Sequence, residues 1–262
     1  MEPSKVVSAA ELVTHRILAF GDIHGQWPEL WQALRAAGVA EHVGGPTVPA
    51  PEVLTDVVLI GDLIHYKDAS SYALAVGEET FDAADPRQLK RAAKAQIREL
   101  YRFKDYMERA GGSVRVILGN HDEVALTHRY SLATRGGLEH REFDPAWGGL
   151  ELPGDLKTWF LSFPRELILS DIHFSHAGPL PGMQSYDDFF YHDPDTKSWW
   201  RDKPELARQS GCRFGVYGHT VMPDGILLDK PNLFAMIDAL DKRQYLELRV
   251  HNGDLYADIK TF

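Results

Sequence analysis

The chain repeatedly sets a short aliphatic run directly before a compact polar cluster. Arg16 to Phe20 precedes Gly21-Asp22, Asp56 to Ile60 precedes Gly61-Asp62, and Val114 to Leu118 precedes Gly119-Asn120-His121. Farther on, Leu167 to Phe174 leads to Ser175-His176, and Phe214 to Tyr217 to Gly218-His219. Runs this short and this rich in β-branched residues predict buried strands, and the small polar residues after them predict loops at strand ends. Five strands are therefore expected to deliver polar loops to one rim of an α/β sheet.

Between the strands the apolar period lengthens to that of a helix. Pro28 to Ala37 carries Leu30, Trp31 and Leu34 on one face, with proline in the first turn. Pro86 to about Ala110 repeats Leu89, Ala93, Ile97 and Leu100 at helical spacing and stops at Gly111-Gly112. After Phe214 come closely spaced short runs at Gly225 to Leu228, Leu233 to Ile237, Tyr245 to Val250 and Leu255 to Ile259, with Asn252-Gly253 as a hairpin turn. They predict an antiparallel half-sheet in the C-terminal third. Glu41 to Pro51 predicts a surface loop, and Val124 to Pro164, with its Gly136-Gly137 and Gly148-Gly149 pairs, a lid or substrate wall. Residues 1–262 are expected to form one domain, since single α/β domains often reach this length.

Composition narrows the function. With 44% hydrophobic and 25% charged residues, and no apolar run near the roughly 20 residues that cross a bilayer, a membrane-spanning protein is not expected. The N-terminus lacks a basic segment followed by an apolar block, so export is not expected. A lone cysteine, Cys212, excludes an internal disulfide and fits a cytoplasmic location; its own reading is a small residue near a buried strand. A net charge of −10 argues against nucleic acid as partner. An acidic chain that handles an anion needs a local cation, and bound metal supplies one.

The polar clusters offer that metal a ligand set: Asp22, His24, Asp62, Asn120, His176 and His219. Carboxylate, imidazole and amide oxygen suit divalent cations of borderline hardness, and the carboxylate of Asp62 can bridge two ions roughly 3.5–4 Å apart. A single histidine or Gly-Asp pair is ordinarily a satisfied polar residue or a turn; five clusters, each after its own strand, are not.

In order, Gly21-Asp22-Ile23-His24-Gly25, Gly61-Asp62, Gly119-Asn120-His121-Asp122, His176-Ala177-Gly178 and Gly218-His219-Thr220 resemble the motifs of the calcineurin-like metallophosphoesterases. They are most similar to the phosphoprotein phosphatase branch, which includes bacterial serine/threonine phosphatases and symmetrical diadenosine tetraphosphatases. The resemblance implies a four-layer sandwich of two facing mixed sheets flanked by helices. It implies two divalent ions, manganese first, with iron or zinc as alternatives. Asp22 and His24 would hold one, Asn120, His176 and His219 the other, and Asp62 would bridge. His121 would protonate the leaving alkoxide of a phosphorylated substrate, a task suited to imidazole near neutral pH.

The chain departs from the branch at the second motif. Where the branch reads Gly-Asp-x-x-Asp-Arg-Gly, this chain has His65 in place of the aspartate that orients the catalytic histidine and Tyr66 in place of the phosphate-clamping arginine. His65 is therefore expected beside His121, with Asp68 and Asp122 as candidates for the vacated role. Lys67 and Arg201, the latter in a Trp-x-Arg-like segment, are the expected phosphate ligands, with Arg129, Arg135 and Arg141 as further candidates. Tyr186, Phe189, Phe190, Tyr191, Trp199 and Trp200 form either a core wall or a base-stacking surface. His173 is left out, since strand alternation turns it away from His176.

The expected activity is a dinuclear metal-dependent phosphatase acting on phosphomonoesters, including serine/threonine phosphoproteins. The alternative within enzymes is a nucleotide pyrophosphohydrolase or phosphodiesterase; outside them it is a metal-containing phosphate-binding scaffold.

Overall fold

The computed structural model describes residues 14–41, 45–47, 53–134, 136–179, 186 and 197–262. Arg135, Phe189, Phe190, Tyr191 and much of the 41–51 loop lie outside the described residues. Two five-stranded mixed sheets form the centre. The first comprises β1 (Thr14–Phe20), β2 (Val53–Leu59), β3 (Val114–Val116), β9 (Gln244–His251) and β10 (Asp254–Thr261), in the order β10-β9-β1-β2-β3. The second comprises β4 (Glu166–Leu169), β5 (Ile172–Ser175), β6 (Phe214–Tyr217), β7 (Leu227–Asp229) and β8 (Phe234–Met236), in the order β4-β5-β6-β8-β7. In each sheet three strands run parallel, β1-β2-β3 and β5-β6-β8.

Alternation along β1 and β2 explains why the sheets stack. Ile17, Ala19, Val58 and Ile60 cluster with Ile172, Phe174, Val216 and Ala235 of the second sheet. Leu18, Phe20, Val57 and Leu59 point the other way and cluster with helix residues such as Leu30, Leu34, Leu100 and Phe103. A strand buried on both faces must be apolar at every position, which is why these runs are continuous rather than alternating. On the second sheet Trp199 covers Tyr217 and Phe234, at ring separations of 5.2 Å each.

The α-helices of two turns or more among the described residues are α1 (Trp27–Ala36), α2 (Ala69–Val76), α3 (Pro86–Arg109), α4 (Asn120–Thr127) and α5 (Gly154–Leu161). Asp68 and Asp85 cap α2 and α3 by accepting the backbone N–H of Ser71 and Arg87. The buried stripe of α3 contains one polar residue, Gln96, fully buried among Leu89, Ala92, Ala93 and Leu100. In the segment expected as a lid or wall, Phe143, Leu152, Phe160 and Phe163 join the helix-side core, so much of 143–163 is anchored there.

Two expectations need correction. The run Leu167 to Phe174 is a hairpin, not one strand: Ser170 and Asp171, at φ 49° and 62°, turn β4 into β5. The C-terminal strands do not form one antiparallel half-sheet. β9 and β10 pair through the Asn252-Gly253 turn and add to β1, whereas β8 runs parallel to β6 in the other sheet. Short apolar runs specify strands but not their partners, which depend on long-range packing.

Ile17 is fully buried between the sheets, and Ile17→Ala should lower the unfolding free energy by about 2–5 kcal/mol. Urea melts measure this; a loss below about 1 kcal/mol would mean that the inter-sheet layer is not the close-packed core described.

Candidate metal centre

Every parallel strand ends in a loop at the same edge of the molecule. β1 leads to Asp22 and His24, β2 to Asp62, β3 to Asn120 and His121, β5 to His176 and β6 to His219. The loops bind one another before they bind anything else. His24 N–H donates to Asp62 O at 2.6 Å, and Gly218 N–H to His176 O at 2.9 Å. Side chains complete the weave: Asp62 Oδ1 accepts the His121 N–H at 2.8 Å and Asp22 Oδ2 the His219 N–H at 2.9 Å. Asp122 bridges two loops, accepting from Leu63 N–H at 2.9 Å and Gly119 N–H at 3.0 Å.

The glycines of the motifs are spaces for these carboxylates. A Cβ on Gly119 would fall on the Asp62 carboxylate, and one on Gly218 on that of Asp22. Backbone strain gathers here too. Among the described residues ten non-glycine residues have positive φ, and His24, Asp62, His65 and His219 are four of them. Each such conformation costs of order 1–3 kcal/mol and persists only where surrounding bonds enforce it.

The six expected ligands converge. His176 Nδ1 donates to Ile60 O at 2.8 Å, so in the neutral ring Nε2 carries a lone pair. That atom lies 2.8 Å from Asn120 Oδ1, 3.3 Å from Asp62 Oδ2 and 3.3 Å from His219 Nδ1. His219 Nδ1 is 3.0 Å from Asn120 Oδ1. On the other side His24 Nδ1 donates to His65 O at 2.9 Å, which aims its Nε2 at Asp62 Oδ2, 3.4 Å away, and Asp22 Oδ2, 4.0 Å away. A backbone carbonyl fixing the tautomer of an imidazole is the arrangement metal-ligating histidines use. Hydrogen bonds among these ring nitrogens and oxygens hold the groups at distances a cation could take over, and the donor set fits divalent metal. Asp62, His176 and His219 lie close enough to share one ion, and His24 with Asp62 belongs to a second such group.

The electrostatics agree. Burial and then the neighbouring Asp238 hold the Asp22 carboxyl well above the usual range. Burial would also raise Asp62, but the charges of His176 and His121 more than offset it and hold Asp62 well below that range. Burial opposes charge on His176, yet Asp62 and Asp22 carry its imidazole up to about 10. The acid pair attracts positive charge to this point. Burial, with Asp62 beside it, raises Asp122 to about 7.

The remaining expected residues divide. His65 is buried beside His121, Nδ1 to Nδ1 at 3.0 Å. Asp68 caps α2 and Asp122 ties loops, and neither carboxylate is hydrogen-bonded to His121. Lys67 Nζ donates to Asp238 Oδ1 at 2.5 Å and stands 3.9 Å from Asp241. Arg201 is exposed on the one-turn helix Trp199–Asp202 and pairs with Asp202 at 2.9 Å. Arg141 pairs with Glu139 and stacks on Trp147. Tyr186 packs edge-on to His176 at 5.6 Å, and His173 bonds to Tyr217 and Glu166 instead of joining the centre.

Sequence reasoning missed Asp238. It follows β8, the third parallel strand of the second sheet, and is 1% exposed, tied to Lys67 and close enough to perturb Asp22 and His24. Its signal was available, an acid after the run Phe234 to Ile237, but no glycine marks the turn.

A rim of carboxylates and imidazoles where two facing mixed sheets bring their parallel strands together defines a metal-dependent phosphoesterase. The chain belongs to the calcineurin-like phosphoesterase family, whose model matches residues 15–256, and it is a metal-dependent phosphoric ester hydrolase. No curated protein matches the sequence. Among solved structures it is similar to a cold-active protein-tyrosine phosphatase of a psychrophile, Shewanella sp., at 14% identity and TM-score 0.55, covering 100% of this chain and 86% of that one. It is also similar to a protein serine/threonine phosphatase from Saccharomyces cerevisiae with similarity to human phosphatase PP5, at 13% identity and TM-score 0.50, covering 97% and 82%. These likenesses bear on the fold. No helix among the described residues is long and apolar enough to cross a membrane.

If the glycines hold space for the carboxylates, Gly119→Ala should displace Asp62 and release metal while circular dichroism stays unchanged. Gly154→Ala, where a Cβ meets nothing within 4 Å, is the control. Equal metal content in both variants, measured by plasma emission, would refute the packing argument.

Proposed function

We propose that the protein is a dinuclear phosphatase that hydrolyses phosphomonoesters, with serine/threonine phosphoproteins as the substrate class. The observation that carries this is the ring of carboxylate, amide and imidazole groups around Asp62, fed from both sheets. Asp22 and His24 would hold one cation, Asn120, His176 and His219 the other, and Asp62 both. When bound, two divalent ions, manganese first and iron or zinc as alternatives, supply Lewis acidity at the phosphoryl group and a nucleophile at neutral pH.

The chain's own residues contribute position and a proton. Asp62 accepts the His121 N–H through Oδ1, so the carboxylate that sits among the ligands also fixes the histidine backbone. His121 Nδ1 is engaged by His65, which leaves Nε2 as the ring atom that can hand a proton to a departing alkoxide. An alkoxide is a poor leaving group, and such donation contributes about 10²–10⁴ in rate. His24 packs edge-on against His121 at 4.6 Å and restricts its ring from a second side. Phosphate charge beyond what the metals neutralise would fall to Lys67 or Arg201, each of which must first leave an aspartate partner.

Asp62→Asn should abolish hydrolysis and reduce bound metal below two ions per chain; two ions with near-normal turnover would sink the bridging role. His121→Ala should keep its metal but slow an alkyl phosphate roughly 10²-fold or more, with a much smaller loss on nitrophenyl phosphate, whose phenolate needs little protonation. Equal losses on both esters would remove the acid assignment. The same panel, extended to phosphopeptides and dinucleoside polyphosphates, tests the nucleotide alternative.

A further inference from the structure

Behind His65 lies a buried network that metal binding does not use. Glu142 is fully buried, and its Oε1 accepts two hydrogen bonds, from Tyr72 Oη at 2.5 Å and from Gln96 Nε2 at 2.9 Å. Its Oε2 is buried with no hydrogen-bond partner among the described residues. Gln96 passes its bond to the backbone, where its Oε1 accepts the His65 N–H at 2.8 Å. Tyr72 passes its bond to a ring. Its single hydroxyl hydrogen goes to Glu142, so its oxygen must accept from His140 Nδ1, 2.7 Å away, which makes His140 the Nδ1–H tautomer. His140 then lies flat on His65, centroids 4.6 Å apart and planes within 2°, and His65 meets His121.

By distance alone His65, His121 and His140 form a group that one metal ion could share. The parallel planes of His65 and His140 argue otherwise. Imidazole lone pairs lie in the ring plane, and lone pairs in parallel planes do not converge on one ion. Stability is a poor account as well. A buried carboxylate with one unmatched oxygen costs more than an apolar residue of the same shape would. What the network does achieve is to hold the backbone of His65 through Gln96 and its ring through Tyr72 and His140, from a single carboxylate oxygen. His65 sits at φ 65°, a conformation that lasts only when such bonds over-determine it.

We propose that Glu142, acting through Tyr72, His140 and Gln96, is the positioning carboxylate of the His65–His121 pair. It takes over at a distance the part that the aspartate at position 65 plays in the branch the chain resembles. The inference rests on His121 as the proton donor to the leaving group. The four are assigned as positioning residues, and their effect must show in His65 and His121.

The test uses the zinc-loaded full chain, which is diamagnetic, and long-range proton–nitrogen correlation of the histidine rings. His140 should carry its hydrogen on Nδ1. Tyr72→Phe, which keeps the ring and removes the hydroxyl, should release that tautomer and shift the ring nitrogens of His65 and His121. With metal content unchanged, kcat on an alkyl phosphate should fall roughly tenfold, KM should hold, and nitrophenyl phosphate should change no more than about twofold. Glu142→Gln, which keeps shape and removes charge, should move both readouts in the same direction by less, and serves if Tyr72→Phe does not fold. An Nε2–H tautomer at His140 in the unaltered chain, unmoved His65 and His121 nitrogens in the variant, or a change confined to KM would overturn the proposal. Failure of the unaltered chain to hydrolyse any ester would count against the phosphatase reading instead, and the ring-nitrogen spectra would still decide this one.

Discussion

The structure is organised around a convergence of buried polar groups. Asp22, Asp62, Asn120, His24, His176 and His219 bring oxygen and nitrogen atoms together in a region where Asp22 and His176 are fully buried. In water such groups would separate. Here loops on two sheets hold them, and the sheets are held by the apolar layer of Ile17, Val58, Ile172 and Val216. Burying a side chain of this kind stabilises by about 1.5–3 kcal/mol, which favours keeping the sheets and their loops together. The core therefore does more than fold the chain: it holds the two sheets that carry these groups together.

The same logic explains why the loops are so tightly tied. Positive φ at His24, Asp62, His65 and His219 would relax if the backbone bonds between loops were lost. Asp122 shows the principle in one residue. Placed where it might have oriented His121, it is spent on the N–H groups of Leu63 and Gly119, and so locks the Asp62 loop to the start of α4. A buried carboxylate that accepts two backbone N–H groups is a structural clamp, and its position beside Asp62 makes it part of the electrostatics all the same.

Much of this was legible in the sequence, for a physical reason. A strand buried on both faces has to be continuously apolar, and a loop that carries a carboxylate against a neighbouring backbone has to include glycine. Both demands leave local traces, at Val57-Val58-Leu59 and at Gly119-Asn120, for example. What was not legible depends on distance along the chain. Nothing near Ser170-Asp171 distinguishes a turn from a strand interior, and β8 and β9 look alike locally yet belong to different sheets. Asp238 was missed because its turn needs no glycine. Glu142 and Gln96 were missed because polar residues at those positions in a segment of mixed pattern carry no sign of burial until the helix α3 and the 139–143 segment are packed together.

The departures at positions 65 and 66 are coupled through that packing. An arginine at 66 would have to bury its guanidinium where Tyr66 packs with Tyr72, Val76 and Ala92 and meets Gly25. An aspartate at 65 would bring another buried negative charge toward Asp62 and Glu142, without the flat ring on which His140 stacks. Tyr66, T-shaped against Tyr72 at 5.0 Å, helps hold the tyrosine that binds Glu142. Compared with the Asp-Arg of the branch the chain resembles, His65-Tyr66 brings no carboxylate or guanidinium to the rim and sets an aromatic wall there, with Glu142 as the proposed positioning carboxylate. Restoring one family residue alone would leave its partner in a pocket shaped for the other chemistry, so the two positions should be read as one change.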